Sequence, residues 1–134
     1  MQDFKRLRVW HQAQAVALKV VHILPIRAAR GVPGLRSQAI RAATSVGANL
    51  AEGCARETRT EFLHFTEIAL GSLNELEAHL LLARDAKVIA PEPWRDIQRD
   101  IEHARVMLIS LMRTLQRRIA LDASARMDED SRRR

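Results

Sequence analysis

Apolar residues recur at three-and-four spacing in four stretches of the chain, and no stretch of strand length shows a competing period of two. The first runs roughly from residues 5–9 to Leu24 and places Leu7, Trp10, Ala13, Ala17, Val20, Val21 and Leu24 on one stripe. The second, roughly Gly34 to Gly53, carries Leu35, Ala39, Ala42, Ala43, Val46 and Leu50; its core residues are mostly small, and Gly53 reads as a C-terminal stop. The third opens at Thr58, whose hydroxyl is spaced to accept from the Glu61 amide in a capping box. It continues through Phe62, Phe65, Ala69, Leu73, Leu76, Leu80 and Ala83 to about Lys87. The fourth begins after Pro91 and steps through Trp94, Ile97, Ile101, Ala104, Leu108, Leu111, Leu115 and Ile119. Pro25 with Pro33, the polar run after Gly53, and Pro91 with Pro93 mark the three connections.

This pattern predicts an all-α chain folded as an antiparallel up-down-up-down, left-handed four-helix bundle over residues 1–120. Residues 121–134 alternate blocks of charge without an apolar period and are expected to form a charged, disordered tail. A chain of 134 residues is long enough for one core without disulfides or a structural metal. The apolar run from Ala15 to Leu24 is broken by Lys19 and His22, so neither a membrane span nor a secretory core is expected. The one cysteine, Cys54, excludes an intrachain disulfide, and a cytoplasmic location is expected.

Charge adds a partner class. The net charge is +6, the first sixty residues hold ten basic and three acidic side chains, and the remainder hold twelve and thirteen. Nineteen of the 22 cations are arginine, whose planar fork suits phosphate and carboxylate. In the expected topology Lys5, Arg6, Arg8, Arg56, Arg59, Arg117 and Arg118 collect at one end of the bundle, diluted by Glu57, Glu61 and Asp122. This basic end suits anionic partners, with a solvated mixed-charge surface as the plain alternative.

The second helix carries a second pattern. Gln38, Arg41, Ser45, Asn49 and Glu52 step by three and four along one face, which asks for polar partners. Folding the third helix back sets Ser45 near Glu67, Arg41 near Gly71, and Gln38 near Asn74 and Glu75, so that Arg41 is placed to pair with Glu67 or Glu75. Gly47 and Gly71 lie inside helices at about 1 kcal/mol each relative to alanine, which close backbone approach would justify. The stripe fits a structural network at a helix or subunit contact, an ordinary exposed face, or, least well, a ligand site.

Catalytic signals are poor. Glu61 with His64 and Asp100 with His103 imitate the two halves of a di-iron site. Antiparallel packing holds them roughly 25 Å apart along the bundle at 1.5 Å per residue. Glu75 and His79 form at most a two-ligand surface pair, and Cys54 has no activating histidine nearby in sequence. Phosphate-binding glycine loops, nucleophile elbows and zincin helices are absent. The chain reads as non-enzymatic, without metal or cofactor.

Three motifs carry a resemblance: Phe4-x-x-Leu7-x-Val9-Trp10-x-x-Ala13; Gln38-x-x-Arg41-Ala42-x-x-Ser45-Val46-x-Ala48-Asn49-Leu50-Ala51-Glu52-Gly53; and Glu61-Phe62-x-x-Phe65 with Ala69-Leu70-Gly71-Ser72-Leu73-x-Glu75-Leu76-Glu77. Over about residues 4 to 90 the chain resembles the four-helix-bundle family encoded in intervening sequences of bacterial 23S ribosomal RNA genes, to which accessory proteins of diversity-generating retroelements are related. It departs from the family in the Leu24 to Gly34 connection and at Gly47, where proline is frequent. The resemblance implies a left-handed antiparallel bundle, a ring-like homopentamer and association with nucleic acid, and no enzymatic activity.

Two readings then lead, with an enzyme third. One is a homo-oligomeric, pentameric four-helix bundle that binds structured RNA through phosphates at its basic end. Base stacking is not expected, because tyrosine is absent and most aromatics fall on the apolar seams. The other is a structural or adaptor oligomer that binds a protein and not nucleic acid.

Overall fold

The computed structural model describes residues 2–27 and 31–134; Met1 and residues 28–30, in the connection marked by Pro25 and Pro33, lie outside the described residues. A 3-10 turn at Phe4–Arg6 precedes four helices, α1 (Arg8–Ile23), α2 (Leu35–Cys54), α3 (Arg59–Asp85) and α4 (Pro91–Arg133), and the described residues contain no strand. Each helix packs on its neighbours in sequence, and α1 also packs on α4. Contacts step in opposite directions along consecutive helices. Gly53 lies against Phe62 while Ser45 meets Ser72, and Arg59 meets Asp122 while Glu77 meets Gln98.

The apolar stripes do what their period requires. Val20, Leu50, Leu73, Leu76, Leu80, Ile101 and Leu108 are fully buried in one core drawn from all four helices. A smaller cluster of Cys54, Phe62 and Leu115, with Phe4, Leu7, Leu63 and Leu111 around it, closes the end where α2 finishes and α3 begins. Thr58 caps α3 as its spacing predicts, its hydroxyl accepting from the Glu61 amide at 3.2 Å. No helix is long and apolar enough to cross a membrane among the described residues.

Three expectations are corrected. The segment 121–134 is not a disordered tail: α4 continues to Arg133, and its 43 residues span about 64 Å at 1.5 Å per residue. The missing apolar period governs burial, and residues 121–134 are all exposed. Helicity follows instead from a run free of glycine and proline that holds four arginines, from the Glu129–Arg133 pair at 2.6 Å, and from cations in the last turn. Gly53 is not a left-handed stop. It is a buried residue of the last turn of α2, where an added Cβ would lie 3.0 Å from both Phe62 Cδ1 and Phe65 Cβ. Gly71 faces open space, with nothing within 4 Å of such a Cβ, so no close approach explains it; Gly47 instead faces the indole of Trp10 on α1.

Candidate functional site

The short turn from Ala55 to Thr58 sets the end of α2 beside the start of α3, and the long α4 passes both. Between them opens a cleft of about 720 Å³ lined by Arg56, Arg59, Arg118 and Arg126, with Glu57 and Asp122 as its carboxylates. Gln2 reaches its edge, because the Gln2 amide donates to the Cys54 carbonyl at 2.8 Å. Arg56 pairs with Glu52 one helical turn before it, and its guanidinium lies 4.8 Å over the Phe65 ring. Arg59 donates to Asp122 Oδ2 at 2.5 Å. Arg118 and Arg126 take part in no ion pair among the described residues. Four guanidinium groups therefore face two carboxylates in one concave surface.

The other residues of the expected basic end sit around this cleft rather than in it. Lys5, Arg6 and Arg8 are exposed on the 3-10 turn and the start of α1, held at this end by the Gln2 bond and by Leu7 in the Cys54 and Phe62 cluster. Arg117 is exposed on α4, one residue off the face that lines the cleft, with Thr114 Oγ1 at 3.5 Å. Arg126 escaped the sequence reading because its segment has no apolar period. The signal was present in the spacing Arg118, Asp122, Arg126, which puts all three on one face of a continued helix.

The polar stripe of α2 divides. Ser45 and Ser72 share a hydrogen bond of 2.9 Å between α2 and α3, and the Asn49 amide donates to the Ser45 carbonyl at 2.8 Å and to its hydroxyl at 3.0 Å. This half is a network at a helix contact. The expected pairing of Arg41 does not occur: Arg41, Gln38, Glu67 and Gly71 are exposed, Glu75 meets His79 at 3.3 Å, and Glu52 meets Arg56. Ser72, not Glu67, stands across from Ser45, so the register places the acidic residues on the outer face of α3.

Two ionic networks went unread in the sequence. Arg105 on α4 lies 3.2 Å from Glu77 on α3 and donates to Asn74 Oδ1 at 3.2 Å, while the Gln98 amide donates to Glu77 at 2.7 Å. Each of Glu77 and Arg105 follows a buried seam residue by one position, the flanking site where charged pairs bridge packed helices. Lys19 on α1 reaches Asp96 at 2.9 Å and also Asp100, clasping the first helix to the last. These hydrogen bonds, that to Asp100 first, hold the Lys19 ammonium above its ordinary range. The bond from Lys19 holds the Asp96 carboxyl below the usual carboxylate range.

Cys54 is buried against the floor of the cleft, and burial pushes its thiol up, with Asp3 adding to the shift. Among the described residues no three His, Cys, Asp or Glu side chains gather where they would hold a metal ion.

A family model described as 23S rRNA-intervening sequence protein matches residues 5–110 of this chain. The chain is also similar to a protein of unknown function from the S23 ribosomal protein family of Bacteroides thetaiotaomicron, known from a crystal structure. The two share 26% identity with a TM-score of 0.69, and the match covers 78% of this chain and 97% of that one. No curated protein matches the chain.

Proposed function

The chain belongs to the 23S rRNA-intervening sequence protein family, and on that premise we propose that it is a non-enzymatic, self-associating four-helix-bundle protein that binds structured RNA through phosphates at its basic end. The observation that carries this reading is the arginine-lined cleft, in which Arg118 and Arg126 form no ion pair among the described residues and Asp122 answers Arg59. Guanidinium groups with free donors on a concave surface suit phosphate oxygens, and contacts to phosphate carry affinity without base sequence. Lys5, Arg6, Arg8 and Arg117 extend the positive surface around the cleft.

Self-association multiplies that surface. Leu18, Val21, Leu82 and Val106 are large apolar side chains left exposed on the helices and supply area for contact between copies. A homopentamer is the assembly the family resemblance implies, and a ring repeating the basic end on each subunit would raise apparent affinity by about a hundredfold or more where the geometry permits simultaneous contact. The cytoplasm, where a lone cysteine stays reduced, is the compartment this reading assigns.

The test is binding of a hairpin RNA at two salt concentrations. With three to four phosphates contacted, affinity is expected to fall roughly 40- to 150-fold between about 50 and 200 mM salt. Reversing Arg56, Arg59, Arg117 and Arg118 to glutamate is expected to abolish binding while helix content and oligomer size stay as they are, since these side chains lie outside the core. A wild-type protein that ignores RNA at low salt leaves the adaptor oligomer as the better reading. A stable monomer by light scattering at micromolar concentration removes the self-association.

A further inference from the structure

We infer that the Asp122 carboxylate is the built-in occupant of a phosphate site, from which an RNA phosphate must displace it to reach Arg59; this rests on the RNA-binding reading above. Arg118, Asp122 and Arg126 follow one another at four-residue steps on α4, each about 6 Å further along the axis, and all three line the same cleft. Arg59 crosses from α3 to the middle member of this row, donating to Asp122 Oδ2 at 2.5 Å. A single carboxylate thus stands between two arginines of its own helix while it binds a third from the facing helix. It satisfies only that third one.

The arrangement is one that a phosphodiester can take over. A phosphodiester has the charge of a carboxylate and presents two free oxygens to the same planar fork. The Arg59–Asp122 pair is 45% and 48% exposed, the setting in which ion pairs are weak and readily exchanged. The cleft, at about 720 Å³, has room for a sugar and its phosphates. A strand that replaces Asp122 at Arg59 also finds Arg118 and Arg126 on either side. They are separated along the helix by about 12 Å, and a strand of duplex carries a charge about every 3.4 Å of its axis. Glu57, the other carboxylate of the cleft, holds none of its arginines in an ion pair among the described residues. Asp122 therefore sets the affinity for RNA by competition from within the chain, and the helical continuation of α4 beyond the bundle exists in the site as one of its walls.

The experiment compares the full-length protein with Asp122→Asn, Asp122→Ala, Arg126→Gln and the remote control Arg95→Gln, each titrated onto a fluorescein-labelled hairpin RNA across a salt series. Both Asp122 variants are expected to bind about 3- to 10-fold more tightly at about 100 mM salt. Their log–log salt slope should be steeper by nearly one, because the phosphate that reaches Arg59 no longer frees a carboxylate that takes up a cation, and net counterion release rises by about one. Arg126→Gln is expected to bind more weakly with a slope shallower by nearly one, and Arg95→Gln to match wild type. If the wild-type protein binds RNA with steep salt dependence but the Asp122 variants, with unchanged helix content and size, share its affinity and slope, this inference is overturned and the RNA-binding reading stands. If neither wild type nor Asp122→Asn binds RNA at about 50 mM salt, both are overturned.

Discussion

At Gly53 a methyl group has nowhere to go, because one of the atoms it would meet at 3.0 Å is the Cβ of Phe65, which no rotamer change can move. Alanine there gains about 1 kcal/mol of helix propensity but meets an overpacking penalty of about 1–3 kcal/mol. Gly53→Ala is therefore expected to lower stability by about 1 kcal/mol in urea unfolding. Gly71→Ala has the opposite sign, a gain of about 1 kcal/mol, since open space surrounds its position. A loss at Gly71 would show that another copy of the chain covers that face. The same scale separates the members of the α2 stripe. Spacing alone placed Ser45 and Asn49 on one face, and the structure joins them to Ser72. The partner of Arg41 was not legible, because Ser72 rather than Glu67 stands opposite Ser45, a register difference of five residues on α3, and Glu67 and Glu75 lie exposed on its outer face.

Helix ends carry the next level. α3 closes with the Val88 amide donating to the Ala83 carbonyl at 2.8 Å and the Lys87 amide donating to the Arg84 carbonyl at 3.0 Å, which is a Schellman turn. Its left-handed position is held by Lys87 at φ 59°, where glycine is the usual residue. Lys87→Gly is expected to stabilise the protein by about 1 kcal/mol, read as a rise of a few degrees in Tm, by removing the clash of a Cβ in that conformation. An unchanged or lower Tm would mean that the Lys87 side chain is worth as much at the C-terminus of α3 as the backbone strain it brings. The length of α4 belongs to this scale too. Its apolar period ends near Ile119, whereas its backbone continues to Arg133, so burial and helicity part company in the last fourteen residues.

Across the whole molecule, α1 and α4 are tied by Lys19 with Asp96 and Asp100, and this tie titrates at both extremes. The Asp96 carboxyl is held below its ordinary value by the bond from Lys19. Its contribution is complete above the unfolded value near 3.9 and is lost as pH falls through the lower folded one. The Lys19 ammonium is held above its ordinary value by Asp100 and then Asp96. Its contribution is complete below about pH 10.4 and is lost as pH rises through the higher folded value. Urea midpoints are therefore expected to fall below about pH 4 and again above about pH 10.4, and Lys19→Met to flatten both limbs. Identical limbs in the variant would show that other groups govern the pH response. The tie joins residues 77 and 81 positions apart, and nothing in the local pattern of either helix announces the other.

Residue order alone determined the helix count, the seams that make the core, the Thr58 cap and the gathering of basic residues at one end, because each follows from a local period or from short connections that force neighbours together. Even Arg56, Arg59 and Arg118 were placed together on that basis, and the structure sets them around one cleft. Tertiary structure alone decided which charges meet. The Arg59–Asp122, Arg105–Glu77 and Lys19–Asp96 pairs depend on the rotation and axial register of whole helices, which apolar packing sets to within a residue and polar spacing does not encode. It also decided that α4 lines the cleft from Arg118 to Arg126, since a helix without an apolar face has no period to announce it and is recognised only by what stands opposite.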